Sequence, residues 1–250
     1  MAERVYRTEA IVLRRTSFRE SDRLLVLATP QGKRRVLAKG ARKTSSRLAG
    51  HIELFVHTQM LLALGRTFDI VTQSHVLHAF VTLRSDLQRI SAAYYIAELW
   101  DRLTEEDDEN PRAFQYLLSS LLVLDTSERI DLVLRWYELH ILDAFGFRPQ
   151  LSVCPMCRNV LTEEDNRFSP QSGGVLCRNC APTDRQALPI SLAAFKLLRF
   201  LQQQPIEAIA GMTISAALCG EAEKILAALL RVLLERDLKS ITFLREVRDQ

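Results

Sequence analysis

Residues 8–39 read TEAIVLRRTSFRESDRLLVLATPQGKRRVLAK, and the fold turns on this stretch. Thr8–Arg15 is a strand-like run with Ile11 and Val12 at its centre. Arg23–Ala28 is a second short apolar run. Thr29-Pro30-Gln31-Gly32 follows it, with Pro at the second turn position and Gly at the fourth, as a type I turn prefers. Lys33–Lys39 then resumes the chain, so the two runs flanking the turn are expected to pair as a hairpin. The alternation is imperfect, because the adjacent Val36 and Leu37 point to opposite faces.

Downstream, His51–Leu64 alternates better. Ile52, Leu54, Val56, Met60 and Leu62 share one face; Glu53, His57 and Gln59 share the other, with Phe55 and Leu61 intruding. A strand this long is expected to bend or carry a bulge. Gly65 breaks it, and Phe68–Val76 is a fifth run. Five short strands without a helical crossover predict a small closed antiparallel barrel, and the five-stranded Greek-key barrel of the OB type has this strand count.

After residue 80 the period changes. Leu83, Leu87, Ile90, Tyr94 and Ala97 form one helical stripe of roughly four turns. Asn110-Pro111 opens a second helix, with Asn suited to the cap and Pro to the first helical position. Phe114, Leu117, Leu118, Leu121 and Leu122 make its apolar face, and Ile130–Ala144 makes a third helix that ends at Gly146. The acidic run Glu105–Glu109 reads as a solvated loop between the first two. Residues 147–188 lose periodicity and hold four of the five cysteines. Ser191 caps a helix over Leu192–Gln203, Ala222–Leu233 marks the last long helix, and Ser240–Val247 reads as a short extended tail. The helices before and after the cysteine-rich stretch are expected to form one bundle. The expected class is therefore α+β. An N-terminal five-stranded OB-type β-barrel (1–80) precedes an α-helical bundle (81–146 and 189–250) with an inserted four-cysteine zinc-finger module (147–188).

Composition sets limits. Of 250 residues, 25% are charged and 48% hydrophobic, which is ordinary for a globular chain and excludes a disordered one. No apolar run reaches the length of a transmembrane helix, and the opening MAERVYRTEA lacks the apolar core of a secretory signal. A cytoplasmic, reducing compartment is expected, where cysteine spacing is read for metal before disulfides. The formal net charge of +3 is unevenly spread. Residues 1–50 carry 13 basic and 4 acidic side chains, a net of +9, whereas 81–146 carry 6 basic and 13 acidic, a net of −7. A basic N-terminal third on an acidic body is the footprint of a polyanion-binding module.

Cys154-Pro155-Met156-Cys157 and Cys177-Arg178-Asn179-Cys180 are separated by 19 residues. Paired C-x2-C knuckles at this spacing suit a four-cysteine zinc site. Four thiolates close a tetrahedron and leave no position for water, so such a site is structural, and the ion substitutes for a core the segment is too polar to build. Spacing alone leaves an iron–sulfur cluster open. Two matched pairs without a thioredoxin-like βαβ context argue against a redox pair. Cys219, the odd thiol, reads as a small core residue.

Lys33, Arg34, Arg35, Lys39, Arg42, Lys43 and Arg47 run along the third strand and the loop KGARKTSSRL after it. Cations along one strand and loop can track a phosphate backbone. Arg14, Arg15, Arg19 and Arg23 add to the field, and Tyr6 and Phe18 are candidates for stacking on bases. His75 and His78 lack a third ligand at a matching offset. No P-loop, Rossmann glycine pattern, nucleophile elbow or other catalytic constellation is present, so the chain does not read as an enzyme.

Taken in order, these segments resemble the RecO family of bacterial DNA repair and recombination mediators. RTEAIVLRRTSFRESDRLLVLATPQGKRRVLAKGARK is similar to the family's N-terminal barrel, and FGFRPQLSVCPMC with FSPQSGGVLCRNC is similar to its zinc-binding insertion. The resemblance covers essentially the whole chain. It implies a protein that binds single- and double-stranded DNA, anneals complementary strands and contacts the acidic C-terminal tail of single-strand-binding protein. It further implies that RecR is a partner and that RecA is loaded at gaps, with no membrane role. The family's DNA-contacting positions correspond here to Lys33, Arg34, Arg35, Lys39, Arg42, Lys43 and Arg47. Some members lack one or more cysteines, whereas this chain keeps all four. Arg158 stands where many relatives have Gly. Two alternatives belong to other classes: a zinc-ribbon nuclease, which lacks the carboxylate or His cluster it would need, and an RNA-binding, translation-associated adaptor.

Overall fold

The computed structural model describes residues 5–163, 165–209, 211–235 and 238–248. They divide into two compact units, Met1–Thr126 and Ser127–Gln250.

The first unit opens with five strands: β1 (Val5–Phe18), β2 (Asp22–Thr29), β3 (Gly32–Ala38), β4 (His57–Ala63) and β5 (Asp69–His78). They close into a barrel in the order β1-β2-β3-β5-β4, with β4 returning to β1. This is the OB-type order. The ladders are antiparallel except β3–β5, which is parallel and joins only Val36 to Asp69 and Leu37 to Ile70. The expected hairpin forms around Pro30-Gln31 in the expected register, Thr29 opposite Gly32. Gly32 takes φ +95°, a conformation that suits glycine. Ala10, Val12, Leu25, Leu27, Val36, Ala38, Met60, Leu62 and Val71 fill the interior. A bulge between Val12 and Arg14 lets the long β1 serve both neighbours.

The expected strand over 51–64 is shorter in the structure. A 3-10 turn occupies Gly50–Ile52, Phe55 adopts φ +65°, and the strand begins only at His57. The break puts Phe55 in the core as well as Ile52 and Val56, which strict alternation forbids. It also buries His57, expected on the polar face. His57 Nε2 lies 3.2 Å from a Glu9 carboxylate oxygen and its Nδ1 lies 3.0 Å from His78 Nδ1. One neutral tautomer satisfies both contacts: Nε2–H donates to Glu9, and Nδ1 accepts from His78. Burial holds the His57 pKa below its ordinary value, against the pull of Glu9. The unfolded chain therefore takes up this proton first, and the unit loses stability as pH falls from neutrality through the unfolded value of about 6.5. A denaturant midpoint that declines between about pH 7 and 5, with a shallower decline in His57→Gln, is the expected result.

The stripe expected as one helix from Leu83 to Ala97 is two. Helix α1 (Val81–Ser85) ends at Asp86, whose carboxylate accepts from the Arg89 N–H and caps α2 (Leu87–Leu103). Leu87 and Tyr94 are exposed, and Ala92, Ala93, Tyr95, Ile96, Leu99 and Trp100 form the buried face. Helix α3 (Pro111–Thr126) starts as expected, with Asn110 accepting from the Ala113 N–H.

The second unit holds α4 (Ile130–Ala144), the cysteine module, α5 (Leu192–Gln203), α6 (Ala216–Leu234) and α7 (Lys239–Arg248). The expected extended tail is therefore helical; its three cations Lys239, Arg245 and Arg248 left no clear apolar period to read. Helix α4 packs against α5 and α6 and is buried nearly all round. Its buried Arg135 is paired with Glu138 at 2.5 Å and approaches Glu223 at 3.5 Å. Cys219 is buried as expected, its sulfur 3.8 Å from the Arg129 guanidinium. Helices α2 and α3 thus group with the barrel, and the boundary between compact units falls inside the stretch 81–146.

Candidate metal centre and anion-binding surface

The module has little regular structure: β6 (Arg167–Ser169), β7 (Gly174–Leu176) and β8 (Leu188–Pro189) form a three-stranded sheet. Gly173 turns at φ +65°, and a side chain on Gly174 would strike the backbone of Gln150, which pairs with Gly173 and Val175. The two knuckles are closed by short backbone bonds. Arg158 N–H donates to the Cys154 carbonyl, Cys154 N–H to the Asn159 carbonyl, and Ala181 N–H to the Cys177 carbonyl. Arg158 adopts φ +63°, which explains why glycine suits this position and why arginine there keeps the turn at some strain.

The four sulfurs of Cys154, Cys157, Cys177 and Cys180 lie within 4.8 Å of one another, with Cys157 and Cys177 at 3.7 Å. Zinc–sulfur bonds of about 2.3 Å at tetrahedral angles require sulfur–sulfur edges of about 3.8 Å, so the set fits a four-coordinate ion. Burial alone would raise the Cys154 thiol, but the backbone N–H groups of Cys157, Cys177 and Met156 outweigh it and bring the pKa down to about 6. The thiolate is the ligating form. These four residues can therefore hold a metal ion.

The seven cations of the barrel fall into two groups. Lys39, Arg42, Lys43 and Arg47 lie on the loop after β3, all exposed. Consecutive turns shape this loop, and Gly40 and Arg42 N–H groups pin it to Asp22 and to the Ser21 carbonyl. Ala41, Leu48 and Ile52 pack inward on the barrel core. The loop thus plugs one part of the barrel and turns its cations to solvent. Arg42 also donates to the carbonyls of Arg19 and Glu20. Lys39, Lys43 and Arg47 have no ion-pair partner among the described residues.

Lys33, Arg34 and Arg35 on β3 are different, because each meets a carboxylate. Lys33 pairs with Asp101 at 2.8 Å, Arg35 with Glu106 at 2.6 Å, and Arg34 with Asp107. Arg14 also reaches Asp101, at 2.6 Å, and Arg15 pairs with Glu53. The acidic run, read as a solvated loop, is instead docked through Glu106 and Asp107 on the basic strand. Its signal was present in the sequence as five consecutive carboxylates in a chain with a basic barrel, but nothing local says which cations they reach. Tyr6 is a poor stacking candidate, since it packs against the barrel core and its hydroxyl donates to Asp69 at 2.5 Å. Phe18 meets Phe68 edge-on with Arg19 over its ring, an aromatic pair that Phe18 alone did not announce.

Fold and surface together define an OB-type barrel protein with a basic exposed loop and a four-cysteine module among helices. Two family models match it: the N-terminal part of recombination protein O over residues 1–80 and its C-terminal part over 84–241. The DNA repair protein RecO of Roseiflexus sp. (strain RS-1) is 59% identical over 248 residues, which cover 99% of this chain and 88% of the relative. DNA repair proteins RecO of Dehalococcoides mccartyi (strain ATCC BAA-2266 / KCTC 15142 / 195) and Desulforudis audaxviator (strain MP104C) are each 38% identical, over 96% and 97% of this chain and 94% and 97% of their own length. The chain belongs to the RecO family. The relatives named here are DNA repair proteins, and the RNA-adaptor reading finds no support among them. No helix among the described residues is long and apolar enough to cross a membrane.

Proposed function

We propose that the protein binds single- and double-stranded DNA through the barrel and anneals complementary strands. It acts in the bacterial cytoplasm, on strands coated by single-strand-binding protein whose acidic tail it contacts, and with RecR it helps load RecA. The observation that carries this reading is the row Lys39, Lys43 and Arg47, exposed and without carboxylate partners among the described residues, on a loop rooted in the barrel core. Together with Arg42 these cations neutralise phosphates on two strands and lower their mutual repulsion; base pairing then supplies the free energy of annealing. Phosphate contacts carry no base information, so sequence preference is low. Lys33, Arg34 and Arg35 join the same surface once their carboxylates are displaced. In this reading the barrel (1–80) serves DNA, and the cysteine module (147–188) and the helices serve as scaffold.

We assign zinc to Cys154, Cys157, Cys177 and Cys180. When bound, the ion supplies folding free energy and no catalysis, because four thiolates leave it no open position. The test of the function is annealing of two complementary oligonucleotides, bare and coated with cognate single-strand-binding protein. Acceleration that survives the coat is expected. Acceleration of bare strands alone would reduce the protein to a generic basic binder.

A further inference from the structure

The acidic loop covers Arg34 and Arg35, two of the seven cations of the basic surface, and its placement is built into the fold. The parallel seam between β3 and β5 pairs only Val36 and Leu37, so the β3 edge from Gly32 to Arg35 lacks a strand neighbour on that side. The loop takes this place. Glu106 forms a parallel bridge with Lys33, and the backbone of Asp108 lies so close to Gly32 that a Cβ there would stand 2.5 Å from its carbonyl oxygen. Asp101, one helical turn upstream of the loop, holds both Lys33 and Arg14. With its backbone anchored at these points, the loop presents Glu106 to Arg35 and Asp107 to Arg34. These carboxylates are about half exposed or more, and a cavity of about 220 Å³ between them, β3 and Thr67–Asp69 leaves the site open to solvent.

We propose that residues 105–109 are an autoinhibitory latch: Glu106 and Asp107 occupy Arg34 and Arg35 in place of DNA phosphates and hold the barrel's affinity below what its cations allow. This rests on the reading of the barrel as a DNA-binding surface. Exposed ion pairs of this kind hold weakly, so a dense polyanion displaces them while a sparse one does not. Affinity is thereby set by a competition inside the chain, and the Lys39–Arg47 loop makes the first contact. Glu105 and Glu109 lie on the same loop, carry the same charge and meet no cation in an ion pair among the described residues. They are the internal control.

The experiment measures affinity for a labelled oligothymidylate across a salt series. Glu106→Gln with Asp107→Asn is expected to tighten binding roughly tenfold at ~0.1 M salt and to steepen the salt slope by up to about 2, as two cations are released to phosphate. Adding Arg34→Ala and Arg35→Ala should remove that gain. Glu105→Gln with Glu109→Gln should shift affinity less than about twofold. Equal tightening in both acidic pairs would mean a general charge effect and would overturn the latch. An unchanged affinity in Glu106→Gln/Asp107→Asn, in a parent that binds DNA, would overturn it too. Absence of binding in every form would overturn the DNA-binding reading and the latch with it.

Discussion

If the proposed zinc occupies the cluster, replacing Cys154 by Ser is expected to abolish its binding, unfold the module and lower the thermal midpoint by about 10 °C or more, with DNA affinity held within about threefold. Cys154 is fully buried, and its sulfur is the one favoured as a thiolate by surrounding backbone N–H groups. Serine keeps the volume but offers a weak ligand, and a three-thiolate remnant binds far less tightly. The ion is worth on the order of 10 kcal/mol in small zinc modules. Only part of this reaches the rest of the chain, because Leu151, Leu161, Phe168, Val175 and Leu176 still retain an apolar nucleus. The barrel contributes no ligand and belongs to the other compact unit, which is why binding should survive. Metal analysis, a thermal scan and oligonucleotide titration check the three parts separately. A metal-free variant that melts where the parent melts would contradict the assignment.

The elements read most easily were those whose signal is local. The β2–β3 turn is announced by Pro30 and Gly32, the α3 cap by Asn110-Pro111, and the α5 cap by Ser191, whose hydroxyl accepts from the Ala194 N–H. The clustering of the four cysteines is legible because a C-x2-C knuckle needs only its own four residues to present two sulfurs. What escaped depends on distant partners. His57 looked like a solvent-facing residue because Phe55 breaks the strand's period by adopting φ +65°, a backbone choice that side-chain alternation does not encode. Leu87 and Tyr94 fit a stripe on paper, yet Asp86 starts a new helix and rotates the buried face away from them. The cations of β3 were read as one group with those of the following loop. They are separated only by carboxylates that lie some 70 residues along the chain and are brought over by the fold.

That separation decides the second large effect. Lys39→Ala, Lys43→Ala and Arg47→Ala combined are expected to weaken binding to single-stranded DNA about 100-fold at ~0.1 M salt and to make the salt slope shallower by about 2. Each exposed cation that meets a phosphate of a single strand releases about 0.7 counterion, so each loss costs about a factor of five at this salt and about 0.7 unit of slope. None of the three side chains makes an ion pair among the described residues, so their removal leaves the fold intact and the whole change falls on binding. Arg42 is left in place because it also ties the loop to Arg19 and Glu20. Lys33, Arg34 and Arg35 have the same charge and lie on the same barrel, but each already faces a carboxylate. Their replacement by Ala in the parent chain removes cations already held in ion pairs, uncovering Glu106 and Asp107 while Arg14 keeps Asp101, and should move affinity less. The contrast between the two triplets is what a salt titration reads, since a surface that responded to total charge alone would lose affinity equally from either.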